Sequence, residues 1–414
     1  MHPKQGIDGI FAASFTRLCM ASSAPLHLLL NADVFAPEHL GRRHVLVGGG
    51  QVLYISELGD EEKPVVKGPE IEEIDLEGKR LIPGLVDAHV HVTGGGGEAG
   101  AHTRAPAPML SRYTSAGVTT VVGLLGTDDL TRSTSGLLTQ VKALRNEGLS
   151  AYAWTGGYHL PPTTLTGSVR GDIVHLEEVI GFGELAISDH RSSQPTFDEF
   201  LRVASECHVA GLMTGKAGVL HLHLGDGSRG LEFVRRALNE TEIPPRTFHP
   251  THVNRRRALF EEALDLAQRG VTIDVTAFPD DEAAEDEVSA AEAVRRFIDS
   301  GLPAERLTVS SDGGGCLPHF DDQGELLRMG FATSQALADL LKQLLVSGHP
   351  LEQIAPFFTQ NPARYLRLHR KGMVRVGFDA DFAILDAEHR VVDVMVQGRW
   401  HLRDGQPVVK GTFE

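Results

Sequence analysis

The pattern of apolar and polar positions divides the chain into a middle that alternates strand with helix and two β-rich ends. From Leu26 to Asp75, short runs such as LHLLLNADVF, HVLVGGGQVLYIS and PVVKGPEIEEIDL are broken by Gly, Pro and Asn-Ala-Asp turn signals. The same texture returns near the end in GFDADFAIL, RVVDVMVQGRW and QPVVKGTFE. Between these ends the pattern predicts strands at Leu85–Val92, Val118–Leu125, Ala151–Gly156, Ile180–Ser188, Val219–Leu224, Thr247–Val253, Val271–Thr276 and Leu307–Ser311. Most are followed by a polar loop and a helical pattern, as in RRALFEEALDLAQRG and SAAEAVRRFIDSG, whose apolar residues recur at three and four. Eight such units predict an α/β fold. It consists of a closed (β/α)₈ TIM-like barrel over residues 81–374 and a small β-sandwich domain built by both chain ends, 24–80 and 375–414. Residues 1–23 read as a disordered N-terminal extension, with Met20 a plausible true start. An open doubly wound sheet is the alternative, but no GxGxxG opens the first unit.

Composition excludes several function classes. The 414 residues have room for a barrel of about 250 residues and a smaller domain. A formal net charge of −16, with few and scattered lysines, argues against nucleic acid as a partner. No run approaches the apolar length needed to cross a bilayer, so no membrane partner is expected. Three cysteines, Cys19, Cys207 and Cys316, form neither an even framework nor a CxxC pair, which points to a reduced, cytoplasmic setting. The first twenty residues carry weak apolar character interrupted by Arg17 and make a poor secretory signal.

The chemistry collects where barrel active sites lie, at the C-terminal ends of strands. In Asp87-Ala88-His89-Val90-His91, residues two apart on a strand share a face, so His89 and His91 form a chelating pair. Four glycines follow, which let the backbone approach a ligand, before Glu98 supplies a carboxylate. Glu184 lies in strand four, His223 ends strand five, His252 ends strand six and Asp312 ends strand eight. Four imidazoles and two carboxylates suit zinc or a similar divalent ion and exceed what one tetrahedral ion needs, so two are expected. Such a pair, roughly 3.5–4 Å apart, can share a bridging hydroxide, with Asp312 placed to move the proton. Of the remaining histidines, His221 and His249 are assigned to packing, and His102, His159, His190 and His319 to rim loops.

PGLVDAHVH, the single histidines of strands five and six, and SSDGGG resemble the amidohydrolase superfamily. Within it, GGGGEAGAHTR, VVGLLGTDDLTRS, TGGYHLPPTTLTGSV, AISDHRS, THVNR, PHFDDQGEL and VKGTFE look like the bacterial isoaspartyl (β-aspartyl) dipeptidase family, over residue 26 to the end. The resemblance implies two zinc ions held by His89, His91, His223, His252 and Asp312, with Asp312 as general base and then acid. It further implies that Glu98 engages the substrate ammonium in a pocket lined by Gly96, Gly97 and Thr127. Tyr158 would steady the oxyanion, and Arg191 and Arg255 would hold substrate carboxylates. A β-aspartyl dipeptide carries one ammonium and two carboxylates, which those three charges match one to one. An α-linked isomer would leave an arm of a buried ion pair unmatched at roughly 3–5 kcal/mol, a selectivity of hundreds to thousands. A multimer is also implied. The alternative is a related amidohydrolase acting on a cyclic amide or an N-acyl amino acid.

Two positions depart from the family pattern. Its bridging ligand is normally a carboxylated lysine, but Glu184 stands there, and Lys216 begins the strand that His223 ends, roughly 23 Å from it at about 3.3 Å per residue. Glu184 has a shorter stem. The segment VIGFGELAIS is one residue longer than the pattern, so a bulge at Phe182-Gly183 is expected to push Glu184 inward, with activity independent of bicarbonate. The second departure is Cys316, where the family has a serine near the substrate carboxylate; a thiol is the weaker donor there.

Overall fold

Runs such as LVDAHV, VTTVVG and VLHLHL have no consistently polar face, so they fold where both faces are covered, in a parallel sheet wrapped by helices. The computed structural model describes residues 26–57, 59, 64, 71–278, 286–320 and 326–414, with backbone alone at 318–320 and 326. The expected N-terminal extension and Met20 lie outside the described residues. The first strands are β1 (Leu26–Phe35), β2 (His39–Gly48), β3 (Gln51–Ile55), β4 (Ile71–Asp75) and β5 (Arg80–Pro83). The barrel strands follow: β6 (Leu85–Val90), β7 (Val118–Gly123), β8 (Ser150–Thr155), β9 (Val179–Ile187), β10 (Val219–Leu224), β11 (Phe248–Thr251), β12 (Ile273–Thr276) and β13 (Leu307–Ser310). A hairpin, β14 (Cys316–Phe320) and β15 (Leu326–Phe331), precedes the C-terminal strands β16 (Phe382–Leu385), β17 (Val391–Val396), β18 (Arg399–Arg403) and β19 (Gln406–Pro407).

Strands β6 to β11 pair in sequence order and in parallel. Strand β12 pairs β13 in parallel, and a parallel bridge from Val90 to Gly313 returns the chain to β6. Buried Asp87 strengthens that closure: it accepts from Ser311 N at 3.1 Å, Ser311 Oγ at 2.5 Å and Ser334 Oγ at 3.2 Å. All eight barrel strands fall within two residues of their expected ends.

The helices outside the barrel bury apolar faces against it. In helix Phe197–Thr214, Phe200, Val203, Ala204, Cys207 and Ala210 are buried at three- and four-residue spacing. Thr196 caps its start by accepting from Glu199 N at 3.3 Å, while the Glu199 carboxylate accepts from Thr196 N at 2.8 Å, a device worth about 1 kcal/mol. Among the described residues no helix is long and apolar enough to cross a membrane.

The chain ends join in one mixed sheet, ordered β19-β18-β17-β16-β5-β1-β2-β3 with β4 beside β1. It encloses its own apolar core, including Leu29, Val34, Val45, Val47, Phe382, Ile384 and Met395. This domain is tied to the barrel by buried Lys371. Its Nζ lies 2.8 Å from Asp379 Oδ2, 2.6 Å from Asp381 Oδ2 and 2.6 Å from Ser150 Oγ at the start of β8. Lys371→Met is expected to cost about 3–5 kcal/mol, because buried Asp381 loses its cation and Asp379 keeps only the exposed Arg370. A denaturant midpoint unchanged from the wild type would refute this.

Candidate metal and active site

At the C-terminal rim of the barrel, the local backbone aims each polar side chain inward. His89 lies in β6, and His91 one residue past its end, where the amide of His91 bonds to Gly313 O at 2.8 Å. His252 and Asp312 follow the ends of β11 and β13 with φ of 59° and 54°. This left-handed backbone is tolerated at functional sites at a cost of order 1–3 kcal/mol each. Glu184 owes its position to a bulge. Leu220 pairs with Phe182 and Leu222 with Leu185, so Gly183 and Glu184 together oppose the single residue His221. Gly183 is required there, since a Cβ would come within 2.8 Å of His221 Cβ.

The ligand-type atoms converge in two groups. Asp312 Oδ1 lies 3.3 Å from His89 Nε2 and 3.1 Å from His91 Nε2. Glu184 spans both groups: Oε1 is 3.5 Å from His91 Nε2, while Oε2 is 3.5 Å from His89 Nε2, 3.6 Å from His252 Nε2 and 3.0 Å from His223 Nδ1. His89, His91 and Asp312 form one three-residue set that could hold a metal ion, and His89, Glu184 and His252 another. His223 belongs to neither set; it reaches Glu184 through Nδ1 and Asp189 Oδ2 through Nε2 at 2.9 Å.

These residues fit divalent ions. Tetrahedral zinc with ligands at about 2.1 Å has edges of about 3.4 Å, the spacing observed here. His89 Nε2, Glu184 Oε1 and Asp312 Oδ1 are buried with no hydrogen-bond partner, as atoms reserved for a cation are. Burial pushes His89 and His252 below the ordinary imidazole range and takes His223 down to about 3, which keeps them neutral donors. Burial, reinforced by the charge of Asp312, drives the Glu184 carboxyl up. A cation between the two acids would relieve that repulsion.

Beside this centre, Glu98 Oε1 accepts from Thr127 Oγ1 at 3.0 Å and lies 3.5 Å from Arg191 Nη1, while buried Oε2 has no hydrogen-bond partner. Arg191 also meets Asp189 Oδ2 at 2.7 Å and His223 Nε2 at 3.3 Å. The Tyr158 hydroxyl is 2.8 Å from His223 Nδ1, and burial pushes its pKa well up. Arg255 lies with its guanidinium carbon 5.9 Å over the Phe278 ring. Gly96, at φ 76°, packs under Cys316: a Cβ would meet Sγ at 2.3 Å. Gly97 shares the loop, at φ 113°. Cys316 Sγ donates to Thr103 O at 3.5 Å, and burial raises its pKa, so it is a thiol.

Three features escaped sequence reasoning. Asp189 holds both His223 and Arg191. Buried Arg132 clamps the glycine loop, donating to Thr93 O at 3.2 Å, Gly96 O at 3.2 Å and Ala105 O at 3.1 Å. His221, expected only to pack, sits 2.8 Å from His89 Nδ1 and 3.0 Å from His249 Nδ1. Lys216 caps main-chain carbonyls of Ile173, Leu176 and Val179 at the barrel floor and has no part in the site. His159 bridges Asp129 Oδ2 at 3.0 Å and Arg191 O at 3.1 Å.

A parallel barrel whose mouth gathers histidines and carboxylates that could hold metal ions is the arrangement of an amidohydrolase-type hydrolase, and residues 80–401 match the amidohydrolase family. The chain belongs to that family. Within it, the chain is similar to the β-aspartyl dipeptidase of Fervidobacterium islandicum AW-1, solved in complex with β-Asp-Leu dipeptide. The two are 41% identical, with 92% of this chain and 98% of that one covered and a TM-score of 0.85. An allantoinase of Desulfitobacterium hafniense (strain Y51) is 23% identical over 87% of this chain and 86% of its own. Dihydropyrimidinase from Brevibacillus agri NCHU1002 shares the fold, with a TM-score of 0.63 at 15% identity, over 93% of this chain and 96% of that one.

Proposed function

We propose that the protein hydrolyses the isopeptide bond of β-aspartyl dipeptides, using two divalent ions, zinc or similar, and Asp312 as general base and acid. The observation that carries this reading is the position of Arg191, which lies within 3.5 Å of both Glu98 and His223 and so joins the charged pocket to the donor cluster. When bound, the ions would supply an activated water and polarise the scissile carbonyl. Glu98, through its unpartnered Oε2, takes the substrate ammonium. Arg191 and Arg255 take the two carboxylates, and Gly96, Gly97, Thr127 and Cys316 shape the wall. The Tyr158 hydroxyl, beside His223, donates to the oxygen on which negative charge develops. Asp312 removes the proton of the attacking water and returns it to the leaving nitrogen. Free Cys207 and Cys316 support a reducing, cytoplasmic setting, and we extend the reading to a homo-oligomer on the resemblance to the dipeptidase.

Hydrolysis of β-Asp-Leu, α-Asp-Leu, allantoin and dihydrouracil by one zinc-analysed preparation tests the reading. β-Asp-Leu should be cleaved at least about a hundredfold faster than α-Asp-Leu, since the α-isomer leaves a buried charge unmatched. Preferred turnover of either cyclic amide would overturn the assignment in favour of the alternative.

A further inference from the structure

We propose that Asp274, Thr308, His249 and His221 are positioning residues that fix the tautomer of His89. They deliver its Nε2 lone pair to the metal site through a one-way chain of hydrogen bonds across the barrel interior. The inference rests on the reading of His89 as a ligand. All four residues are fully buried and come from β10, β11, β12 and β13. Asp274 anchors the chain, accepting from Thr251 Oγ1 at 2.7 Å, Ser310 Oγ at 2.5 Å and Thr308 Oγ1 at 2.6 Å. A threonine hydroxyl has one proton, so once Thr308 gives it to Asp274, its oxygen can only accept. His249 Nε2, at 2.9 Å, must then carry a proton.

A neutral imidazole carries a single N–H, and this propagates the order. With Nε2 protonated, His249 Nδ1 is bare and accepts from His221 Nδ1 at 3.0 Å. His221 Nε2 is bare in turn and accepts from His89 Nδ1 at 2.8 Å. His89 is left with its Nε2 lone pair directed at the site, where that atom has no hydrogen-bond partner. The reverse order would place the Nε2 proton where the cation should sit. Ring planes are held by neighbours: Trp154 stacks on His221 at 5.0 Å and 12°, and donates its indole N–H to Ala88 O at 3.0 Å, while Tyr365 lies 4.6 Å from His249.

Two measurements decide the proposal. Long-range ¹⁵N NMR of histidine-labelled wild type, as purified and zinc-loaded, should show His221 protonated at Nδ1 and His249 at Nε2. Opposite tautomers or an imidazolium at either position would overturn it. Thr308→Val, a β-branched isostere that removes the acceptor, should weaken zinc binding about 10–100-fold in chelator competition, and Thr308→Ser should restore it. Folded Thr308→Val with wild-type zinc affinity would also overturn it. If wild-type protein takes up no zinc, the metal reading of the site fails instead, while the tautomers still report on the chain itself.

Discussion

Asp312→Asn is expected to lower kcat for β-Asp-Leu by about 10⁴-fold, the upper end of the range for general acid–base groups. On the proposed mechanism one carboxylate serves both half-reactions, taking the proton of the attacking water and returning it to the departing nitrogen. Its loss therefore removes two contributions at once. Asparagine has the same size and can still direct an oxygen toward His89 and His91, which lie 3.3 Å and 3.1 Å from Asp312 Oδ1, but it cannot accept a proton. Asparagine also tolerates the left-handed backbone at φ 54°. Steady-state rates and zinc content should be measured on the same preparation, so that a lost ion is not mistaken for a lost base. Full zinc with a rate within about tenfold of wild type would assign the proton transfer to another group.

The fold was legible because its signal is local. Each barrel strand is an apolar run bounded by turn residues, and each helix carries its own three- and four-residue spacing, so strand ends were found within two residues. Five of the six expected ligands sit at or just past strand ends, where barrel chemistry collects. A bulge was legible from one extra residue beside a glycine, but it falls at Gly183-Glu184, one residue past the expected Phe182-Gly183, because Phe182 still pairs with Leu220. What escaped depends on closure and register. Asp87 meets Ser311 across 224 positions of chain, and the sequence VLHLHL gives no sign that one histidine faces Glu184 while the other faces His89. An i, i+2 pair on a barrel strand does carry a usable signal. Inward side chains stack in layers, so the deeper histidine must meet polar partners from other strands in the layer below. The role of Arg132 was hidden for another reason: its contacts are main-chain carbonyls, which leave no mark on composition.

Glu184→Gln is expected to abolish dinuclear binding, taking zinc from two ions per chain to one or fewer, and to reduce activity by more than about 10³-fold. Two dications about 4 Å apart repel by roughly 17 kcal/mol at an effective dielectric of 20, so the pair survives only around a shared anion. Glu184 is positioned to be that anion, with Oε1 toward His91 and Oε2 toward His89, His223 and His252. Glutamine preserves shape and removes the charge, which separates electrostatics from packing. With Glu184 as the expected bridge and Lys216 held at the barrel floor, zinc-loaded wild type should run at the same rate in carbon dioxide-depleted buffer and in bicarbonate. A bicarbonate-dependent rise would mean that a carbamate forms after all. Two ions retained in Glu184→Gln would mean that the hydroxide alone bridges them.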